Sequence, residues 1–320
     1  MPDRVAIVGA GSIGSSWAVV FARAGHEVAL YDADPERLPA AAADVEQRLA
    51  ALAGAGLLDE PPARVAQRVT THDGLVAALA GAAHVQECAP EYLELKRELF
   101  QELDRLADPD ATLASSSSAL TISNTAGELA GRGRCLVVHP ANPPHLLPIV
   151  ELVPAAFTEE AVVDRAGDLL KRAGMSPVRV RQELEGFVYN RLQGALLREA
   201  YCLVRDGVIG VDELDRVVRE GLGRRWAIVG PFETVDLNTR GGIAVHARRM
   251  GATYERLGAE RGQHDPWDET LVAEVTRQRR ALLPLADWEQ RVAWRDRELI
   301  AQEQVRRQPA PRNKIAGRDA

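Results

Sequence analysis

A histidine and a glutamate twelve residues apart have the side chains needed for proton transfer to and from a hydroxyl group. His139 begins the segment His139–Pro144, whose prolines restrict the backbone around it. Histidine titrates near neutral pH, so it can take a proton and return it. Glu151 lies in the apolar run Ile149–Val153, where an unpaired buried carboxylate would be costly. A pair between the two would orient the imidazole and stabilise its protonated form; the alternative is a structural histidine and a glutamate that faces water.

A glycine-rich segment near the start of the chain, Gly9–Gly14, matches the pattern G-x-G-x-x-G. It follows a strand-like apolar run and opens a predicted helix. Gly9 permits a tight turn, Gly11 lets the backbone approach a pyrophosphate, and Gly14 lets the helix pack against the sheet. The amides of Ser12 and Ile13 lie at the helix N-terminus, where they are expected to bind phosphates. The pattern predicts a dinucleotide-binding loop, and the alternative is an ordinary glycine-rich turn.

An aspartate at the end of the second predicted strand indicates which dinucleotide binds. Asp32 stands 18 residues after Gly14. Its carboxylate is expected to accept hydrogen bonds from the adenosine ribose hydroxyls and to repel a 2′-phosphate. We therefore predict NAD rather than NADP as the cofactor, the alternative being a solvated aspartate.

A run of serines, Ser115–Ser118, follows an apolar stretch at the predicted end of another strand. Ligands of doubly wound sheets bind at the carboxyl ends of the strands. The hydroxyls could contact the cofactor or a substrate oxygen, or the run could be a turn that caps the next helix. The residues alone leave these two interpretations equal.

The elements that would position these residues alternate between strands and helices. Strands are predicted over residues 4–9, 28–31, 84–88, 112–115, 135–139 and 149–153, and helices over 12–24, 93–106 and 159–173. Two further helical stretches, 35–54 and 62–69, are longer than a minimal crossover needs and favour an inserted helical arm. The alternation predicts an α/β fold class, with an N-terminal doubly wound Rossmann domain.

The strand signal disappears after about Gly186. Helices are predicted over residues 187–205, 211–221, 242–258, 267–282 and 285–306, followed by a loose polar tail from Pro309 to Ala320. We therefore predict two domains: an NAD-binding Rossmann domain over residues 1–185 and an all-α C-terminal domain over residues 186–320.

Composition and charge argue against several classes of function. The net charge of −7 gives no electrostatic reason to expect nucleic acid or an anionic membrane surface as a partner. The three cysteines are widely spaced and form no CxxC or Cys/His cluster, so neither a disulfide framework nor a metal site is expected. No signal peptide and no apolar run of about 18 residues is evident, so a cytoplasmic location is expected.

Taken together, these motifs resemble the 3-hydroxyacyl-CoA dehydrogenase superfamily along nearly the whole chain, and within it the lambda-crystallin and L-gulonate 3-dehydrogenase branch. The matching stretches fall in the family's order: 5–14, 86–91 with 95–96, 115–120, 139–144, 148–154, 186–192, 221–226 and 230–233. The resemblance implies an NAD-dependent dehydrogenase. It also implies a helical second domain that forms a homodimer, with the substrate in the cleft between the domains.

The same resemblance implies roles for individual residues. The catalytic histidine falls on His139 and its glutamate partner on Glu151, so His139 would remove the proton of a 3-hydroxyl while Glu151 steadies the imidazolium. Two further active-site positions fall on Ser118 and Asn190, which would hold the hydroxyl or carbonyl oxygen. The positions that contact NAD fall on Glu91, Lys96, Ser118 and Asn142.

The charges that follow the second strand argue for a small substrate. Residues 33–63 contain two basic and six acidic residues, a poor surface for the 3′-phospho-ADP of coenzyme A. A sugar acid such as L-gulonate fits better, and its carboxylate needs a cation. Arg225 is the first candidate for this cation, and Arg191 and Arg224 are the next. The alternative for all three is a surface or interface salt bridge.

The predicted reaction is therefore NAD-dependent oxidation of the 3-hydroxyl of a small, L-gulonate-like hydroxy acid to the 3-keto acid. One alternative substrate is a 3-hydroxyacyl-CoA such as 3-hydroxybutyryl-CoA. Another is carnitine, whose trimethylammonium group could meet the aromatic face of Trp226. A third alternative is a non-catalytic, crystallin-like NAD-binding protein, against which the intact set of Ser118, His139, Glu151 and Asn190 argues.

Overall fold

The computed structural model describes residues 3–227, 230–238 and 242–262, together with individual residues between 270 and 307. The chain divides into two compact units, one of Met1–Arg191 with Ala293–Ala320 and one of Leu192–Val292. The first unit contains the sheet, and the elements described in the second are helices. Among the described residues, no helix combines the length and apolar character needed to span a membrane.

The described part of the first unit forms an eight-stranded sheet in the order β3-β2-β1-β4-β5-β6-β7-β8. Every neighbouring pair is parallel except β6 and β7, which are antiparallel. The order reverses direction between β1 and β4, as in a doubly wound fold, so the predicted α/β class is confirmed. The strands are β1 (Arg4–Val8), β2 (Glu27–Tyr31), β3 (Val69–His72), β4 (His84–Glu87), β5 (Thr112–Ser115), β6 (Cys135–Pro140), β7 (Ile149–Pro154) and β8 (Ser176–Arg179).

Helices cover both faces of this sheet, so β1 is buried on both sides. Val5 and Ile7 contribute to one hydrophobic core, while Ala6 and Val8 contribute to the other. The α-helices of the unit are α1 (Ser12–Arg23), α2 (Leu38–Gly54), α3 (Pro62–Ala66), α4 (Leu75–Leu79), α5 (Leu93–Leu106), α6 (Ile122–Ala126) and α7 (Glu160–Arg172). Two 3-10 turns, Pro35–Arg37 and Arg132–Arg134, complete it.

The helices after β2 form the crossover connection between β2 and β3. The sequence had predicted an inserted helical arm at this place instead. Helix α2 buries Leu38, Ala41, Val45, Leu49 and Leu52 at helical spacing, and its apolar face joins the core beneath α1. The chain then enters β3, which pairs with β2 in parallel. Strand β3 was not predicted, because its sequence Val-Thr-Thr-His is short and half-exposed at the sheet edge.

The second unit is described as a series of helices. These are α8 (Tyr189–Arg205, which begins in the first unit), α9 (Val211–Val217), a π-helical turn (Val218–Leu222), α10 (Gly223–Trp226), α11 (Pro231–Asn238), α12 (Gly242–Arg261) and a 3-10 turn (Leu285–Asp287). Helix α11 was not predicted. The helices predicted over residues 267–282 and 285–306 lie mostly outside the described residues, and the predicted tail lies entirely outside them.

Candidate active site

His139 and Glu151 face each other across the antiparallel pair of β6 and β7. They are directly opposite in the strand register, which explains how two residues twelve apart in sequence become neighbours. The Nδ1 atom of His139 lies 2.9 Å from Oε2 of Glu151. Both side chains are about 5% exposed, so the contact is shielded from solvent. Of the two interpretations open from the sequence, the structure shows the buried pair.

The backbone before α8 holds the second oxygen of Glu151. Its Oε1 accepts hydrogen bonds from the amides of Val188 at 2.9 Å and Tyr189 at 3.0 Å. The preceding residues, Gly186 and Phe187, have left-handed φ angles of 74° and 49°. For the buried Phe187 this conformation is unusual, and it turns the two following amides towards the carboxylate.

The environment of Glu151 keeps its carboxylate ionised. Burial raises the pKa of Glu151, but the hydrogen bonds from His139 and from the two backbone amides lower it by a larger amount. The pKa therefore lies below its usual value. An ionised carboxylate accepts the Nδ1–H of His139, which leaves Nε2 as the unprotonated ring nitrogen of the neutral imidazole. The rings of Phe187 and Tyr189 lie 5.3 and 6.3 Å from the imidazole, measured between centroids. The geometry therefore suits a general base acting at Nε2.

Ser118 and Asn190 form a second contact at the same segment. The side-chain amide of Asn190 donates to the backbone oxygen of Ser118 at 2.9 Å. Residues 188 and 189 bond to Glu151, and residue 190 bonds to Ser118. One short stretch of chain therefore connects the His139–Glu151 pair to the Ser118–Asn190 contact.

Glu91 holds the backbone of the Ser118 segment. Its Oε1 accepts from the amides of Ser118, Ala119 and Leu120 at 2.7–3.2 Å and from the hydroxyl of Ser117 at 2.5 Å. Burial raises the pKa of Glu91, but these hydrogen bonds outweigh it and the pKa is lowered. The role that the structure displays for Glu91 is to fix this segment, while its contact with NAD stays a prediction.

The glycine loop has the close packing that a dinucleotide cradle requires. A Cβ atom on Gly14 would lie 1.9 Å from the oxygen of Gly9. Gly9 has a φ of +112°, and a Cβ there would lie 2.7 Å from the backbone of Cys88. Gly11 has open space where a Cβ would be, so the backbone is accessible at that point. Helix α1 begins at Ser12, directly after this opening, and the loop therefore fits a pyrophosphate.

Asp32 lies beside this loop. Its Oδ2 accepts from the amide of Ala10 at 2.7 Å, and its Oδ1 accepts from the amide of Asp34 at 3.0 Å. The carboxylate therefore lies at the edge of the loop, and its contact with the adenosine ribose stays a prediction. Asn142 is exposed on the segment after β6 and precedes Pro143 in a cis peptide bond.

Lys96 is buried, and three protein oxygens lie within hydrogen-bond distance of its ammonium group. Its Nζ lies 2.6 and 2.8 Å from the two oxygens of Glu87 and 3.2 Å from the oxygen of Ala89. Glu87 was not singled out from the sequence. Strand β4 reads His-Val-Gln-Glu, so the apolar surroundings that drew attention to Glu151 were absent around Glu87.

Arg48 is a second residue whose contacts the sequence did not indicate. Its guanidinium binds both carboxylate oxygens of Asp44, with Nε 2.8 Å from Oδ1 and Nη2 2.7 Å from Oδ2. It also contacts Ser12, the hydroxyl of Ser16 and Nδ1 of His145. Arg48 thus fastens α2 to the first turn of α1, beside the glycine loop.

Arg225, the predicted carboxylate ligand, is exposed on α10 in the second unit. Its neighbour Arg224 lies 3.6 Å from Glu220 in an exposed ion pair. The role of Arg225 stays a prediction.

Two models of one protein family together match most of the chain. The NAD-binding domain of 3-hydroxyacyl-CoA dehydrogenase matches residues 4–184, and the C-terminal domain of the same family matches residues 186–282. The lambda-crystallin homolog of Bos taurus is 44% identical over 258 residues, which cover 80% of each chain. The L-carnitine dehydrogenase of Streptomyces griseus is 40% identical over 248 residues, which cover 75% of this chain and 71% of that protein.

A solved structure with a similar fold is FHMPC 5-dehydrogenase, described as an NAD⁺-dependent dismutase. It superposes with a TM-score of 0.81 at 28% identity and covers 95% of this chain and 98% of its own.

Proposed function

This chain belongs to the 3-hydroxyacyl-CoA dehydrogenase family of NAD-dependent oxidoreductases, and from that premise we propose that it oxidises the 3-hydroxyl of a small hydroxy acid such as L-gulonate. The observation that carries the proposal is the buried pair of His139 and Glu151, with Nδ1 and Oε2 2.9 Å apart. A histidine held in this way has one ring nitrogen committed to the carboxylate and the other available to a substrate hydroxyl.

The proposed roles follow from these contacts. His139 takes the proton of the 3-hydroxyl on Nε2 as the hydroxyl becomes a carbonyl. Glu151 stabilises the resulting imidazolium and keeps the ring oriented. Ser118 and Asn190 contact the substrate oxygen and position it at His139.

NAD, when bound, supplies the acceptor for the hydride that leaves the same carbon. The residues proposed to hold it are those of the glycine loop, namely Gly9, Gly11, Ser12, Ile13 and Gly14, with Asp32 on the ribose. Asn142 and the Ser118 segment are proposed to lie beside the nicotinamide, because each follows the carboxyl end of a strand of the sheet.

The surface after β2 supports a small substrate rather than an acyl-CoA. Both basic residues of residues 33–63 are paired with an acidic neighbour: Arg37 lies 3.4 Å from Asp34, and Arg48 lies 2.7 Å from Asp44. These cations are partly neutralised, so little positive charge is left for the phosphates of coenzyme A.

Carnitine is a second candidate substrate, favoured by the 40% identity to an L-carnitine dehydrogenase. Carnitine is also a small 3-hydroxy acid, so the same catalytic residues would act on it. The two substrates differ at the opposite end, where a sugar acid needs hydroxyl partners and carnitine needs an aromatic face for its trimethylammonium group.

A homodimer through the helical second unit is also proposed. Large apolar side chains on that unit are exposed in the single chain, among them Leu192 (63%), Val217 (57%) and Phe232 (77%). Apolar surface of this kind is typical of protein interfaces. Light scattering coupled to size exclusion tests it: a mass near 35 kDa would contradict the dimer, because the chain itself has a mass of 34.8 kDa.

The substrate proposal is tested by following NADH production with L-gulonate, L-3-hydroxybutyrate, carnitine and 3-hydroxybutyryl-CoA. We expect the highest kcat/KM with L-gulonate. A higher value with the CoA thioester would overturn the small-substrate proposal. If the His139→Gln variant oxidises the substrate at the wild-type rate, His139 is not part of the mechanism. Binding of NADH without turnover of any of the four would favour a non-catalytic protein.

A further inference from the structure

A buried glutamine contacts both the segment of Ser118 and the strand of His139. Gln86 lies on β4, and its side chain is fully buried. Its Nε2 atom donates to the hydroxyl of Ser116 at 2.7 Å and to the backbone oxygen of Val138 at 3.3 Å. Ser116 precedes Ser118 by two residues, and Val138 directly precedes His139. One amide group therefore binds both segments.

The side chain of Gln86 extends past the end of the strand that separates β4 from β6. The register of β5 against β6 ends with Ser115 opposite Val137, so the Val138 oxygen lies beyond that pairing. Gln86 is opposite Ala114 in the register of β4 and β5, and residues in register share a face of the sheet. The small side chain of Ala114 leaves room for the glutamine to reach β6. Gln86 thus supplies a donor to β6 beyond the last paired residue of β5.

The neighbours of Gln86 fix the orientation of its amide. The Val138 oxygen can only accept a hydrogen bond, so Nε2 must face it and Oε1 must face the other way. Oε1 lies 3.0 Å from Nε2 of His84, which donates to it. Burial lowers the pKa of His84 to about 4, so its imidazole is neutral at neutral pH. Both ends of the glutamine amide are therefore satisfied in a single orientation.

The hydroxyl of Ser116 is held from two sides. It accepts from Gln86 and from the indole N–H of Trp17, the latter at 3.1 Å. Both partners are donors, so the two lone pairs of the oxygen are occupied, and the hydroxyl hydrogen is left for Sγ of Cys88, 3.2 Å away. Trp17 is fully buried on α1. The start of the Ser118 segment is therefore tied to α1 as well as to β4.

We infer that Gln86 is a positioning residue for the proposed oxidation and sets the separation between the Ser118 segment and His139. The inference rests on the proposed roles of these two residues at the substrate oxygen. Proton transfer to His139 needs a donor–acceptor distance of about 2.6–3.2 Å, and a displacement of about 1 Å can cost about two orders of magnitude in rate. A fully satisfied buried network resists such a displacement, because any shift breaks a hydrogen bond in the core.

Replacing Gln86 by methionine tests this inference, because the length of the side chain is kept while both of its polar groups are removed. The Ser116 hydroxyl and the Val138 oxygen each lose a donor in Gln86→Met, and β6 is no longer tied to β4 at this point. Gln86→Asn is a milder variant. It keeps the amide but shortens the side chain, so the amide cannot reach from His84 to Val138.

The experiment measures kcat, the Kd of NADH and Tm, with whichever of the four candidate substrates the wild type oxidises. We expect Gln86→Met to lower kcat by about tenfold or more and to leave the Kd of NADH within about threefold of the wild type. A fall in kcat of less than about fivefold would overturn the inference. A larger rise in Kd would also overturn it, because the network would then support the cofactor loop rather than His139. If Gln86→Met does not fold, Gln86→Asn decides by the same thresholds.

Thr158→Val is the matched control. The Thr158 hydroxyl donates to the oxygen of Cys135 at 2.7 Å, so this variant also removes a side-chain donor from a backbone oxygen of β6. Cys135 begins the strand, at the end away from His139. We expect Thr158→Val to lower Tm and to keep the kcat of the wild type. An equal fall in kcat would mean that any loosening of β6 has this effect, and the inference would be wrong.

A signal that does not depend on turnover separates this inference from the proposed function. In protein labelled with ¹⁵N-histidine, the ring signals of His139 are those absent from the spectrum of His139→Gln. We expect Gln86→Met to shift them and Thr158→Val to leave them unchanged, because the contact of Nδ1 with Glu151 depends on the position of β6. If the wild type oxidises none of the four substrates, the proposed function fails, and unchanged His139 signals in Gln86→Met would overturn the inference separately.

Discussion

Replacing Glu151 by glutamine tests the proposed chemistry with the smallest change of shape. The carboxylate accepts three hydrogen bonds: one from His139 at Oε2 and two from the amides of Val188 and Tyr189 at Oε1. If the glutamine oxygen stays on the two amides, its NH₂ group faces Nδ1 of His139. Two donors cannot share that contact, so the imidazole must place its proton on Nε2 instead, and Nε2 can no longer act as the base.

The size of the effect follows from the geometry of the pair. With Nδ1 and Oε2 2.9 Å apart, the centres of the two charges in the imidazolium–carboxylate state lie about 4 Å apart. At an effective dielectric constant of about 20, such a pair is worth roughly 4 kcal/mol. That corresponds to about three orders of magnitude in rate, and the wrong tautomer adds to it. We therefore expect Glu151→Gln to lower kcat by about 10³–10⁴.

The assay is the steady-state rate of NADH formation, with the Kd of NADH measured in parallel. We expect kcat to fall while NADH binding stays nearly unchanged, because Glu151 lies outside the glycine loop. Glu183→Gln is the matched control. It alters a carboxylate that accepts hydrogen bonds from Ser123 outside the catalytic pair, and its kcat should equal that of the wild type. A kcat for Glu151→Gln within tenfold of the wild type would refute the reasoning.

Four further predictions follow from the same contacts. His139→Gln should lower turnover by about two to four orders of magnitude and spare NADH binding, as measured by kcat and fluorescence titration. Asp32→Ser should weaken the binding of NAD more than that of NADP; equal losses of the two affinities would mean that Asp32 only holds the amides of Ala10 and Asp34. Gly14→Ala puts a methyl group 1.9 Å from the Gly9 oxygen, so we expect a loss of about 1–3 kcal/mol in stability and weaker NADH binding, and wild-type values of Tm and Kd would contradict the close packing. Since the pKa of Glu91 is lowered in the folded chain from 4.5, its ionisation stabilises the fold above pH 4.5 and this contribution is lost as the pH falls further; the difference in Tm between the wild type and Glu91→Gln should therefore shrink below pH 4.5, and a constant difference would contradict it.

Local features of the fold were predictable because their causes are local. The glycine spacing of residues 9–14, the buried strand before it and the helix after it all depend on neighbouring residues. Strands β3 and β8 were missed for the converse reason. They are short, polar edge strands whose formation depends on pairing with β2 and β7 rather than on their own periodicity.

The sequence by itself determined the cofactor loop, the α/β class and a histidine and glutamate able to transfer protons. The tertiary structure decided which groups meet. The antiparallel register brings His139 opposite Glu151, and the turn at Gly186 and Phe187 brings the amides of Val188 and Tyr189 onto the same carboxylate. Glu91 reaches amides that are 27 to 29 residues away, and Glu87 pairs with Lys96 below the loop. Such contacts depend on strand order and helix packing, which no window of sequence specifies, because hydrophobic periodicity fixes the face a residue lies on and not the partner it meets.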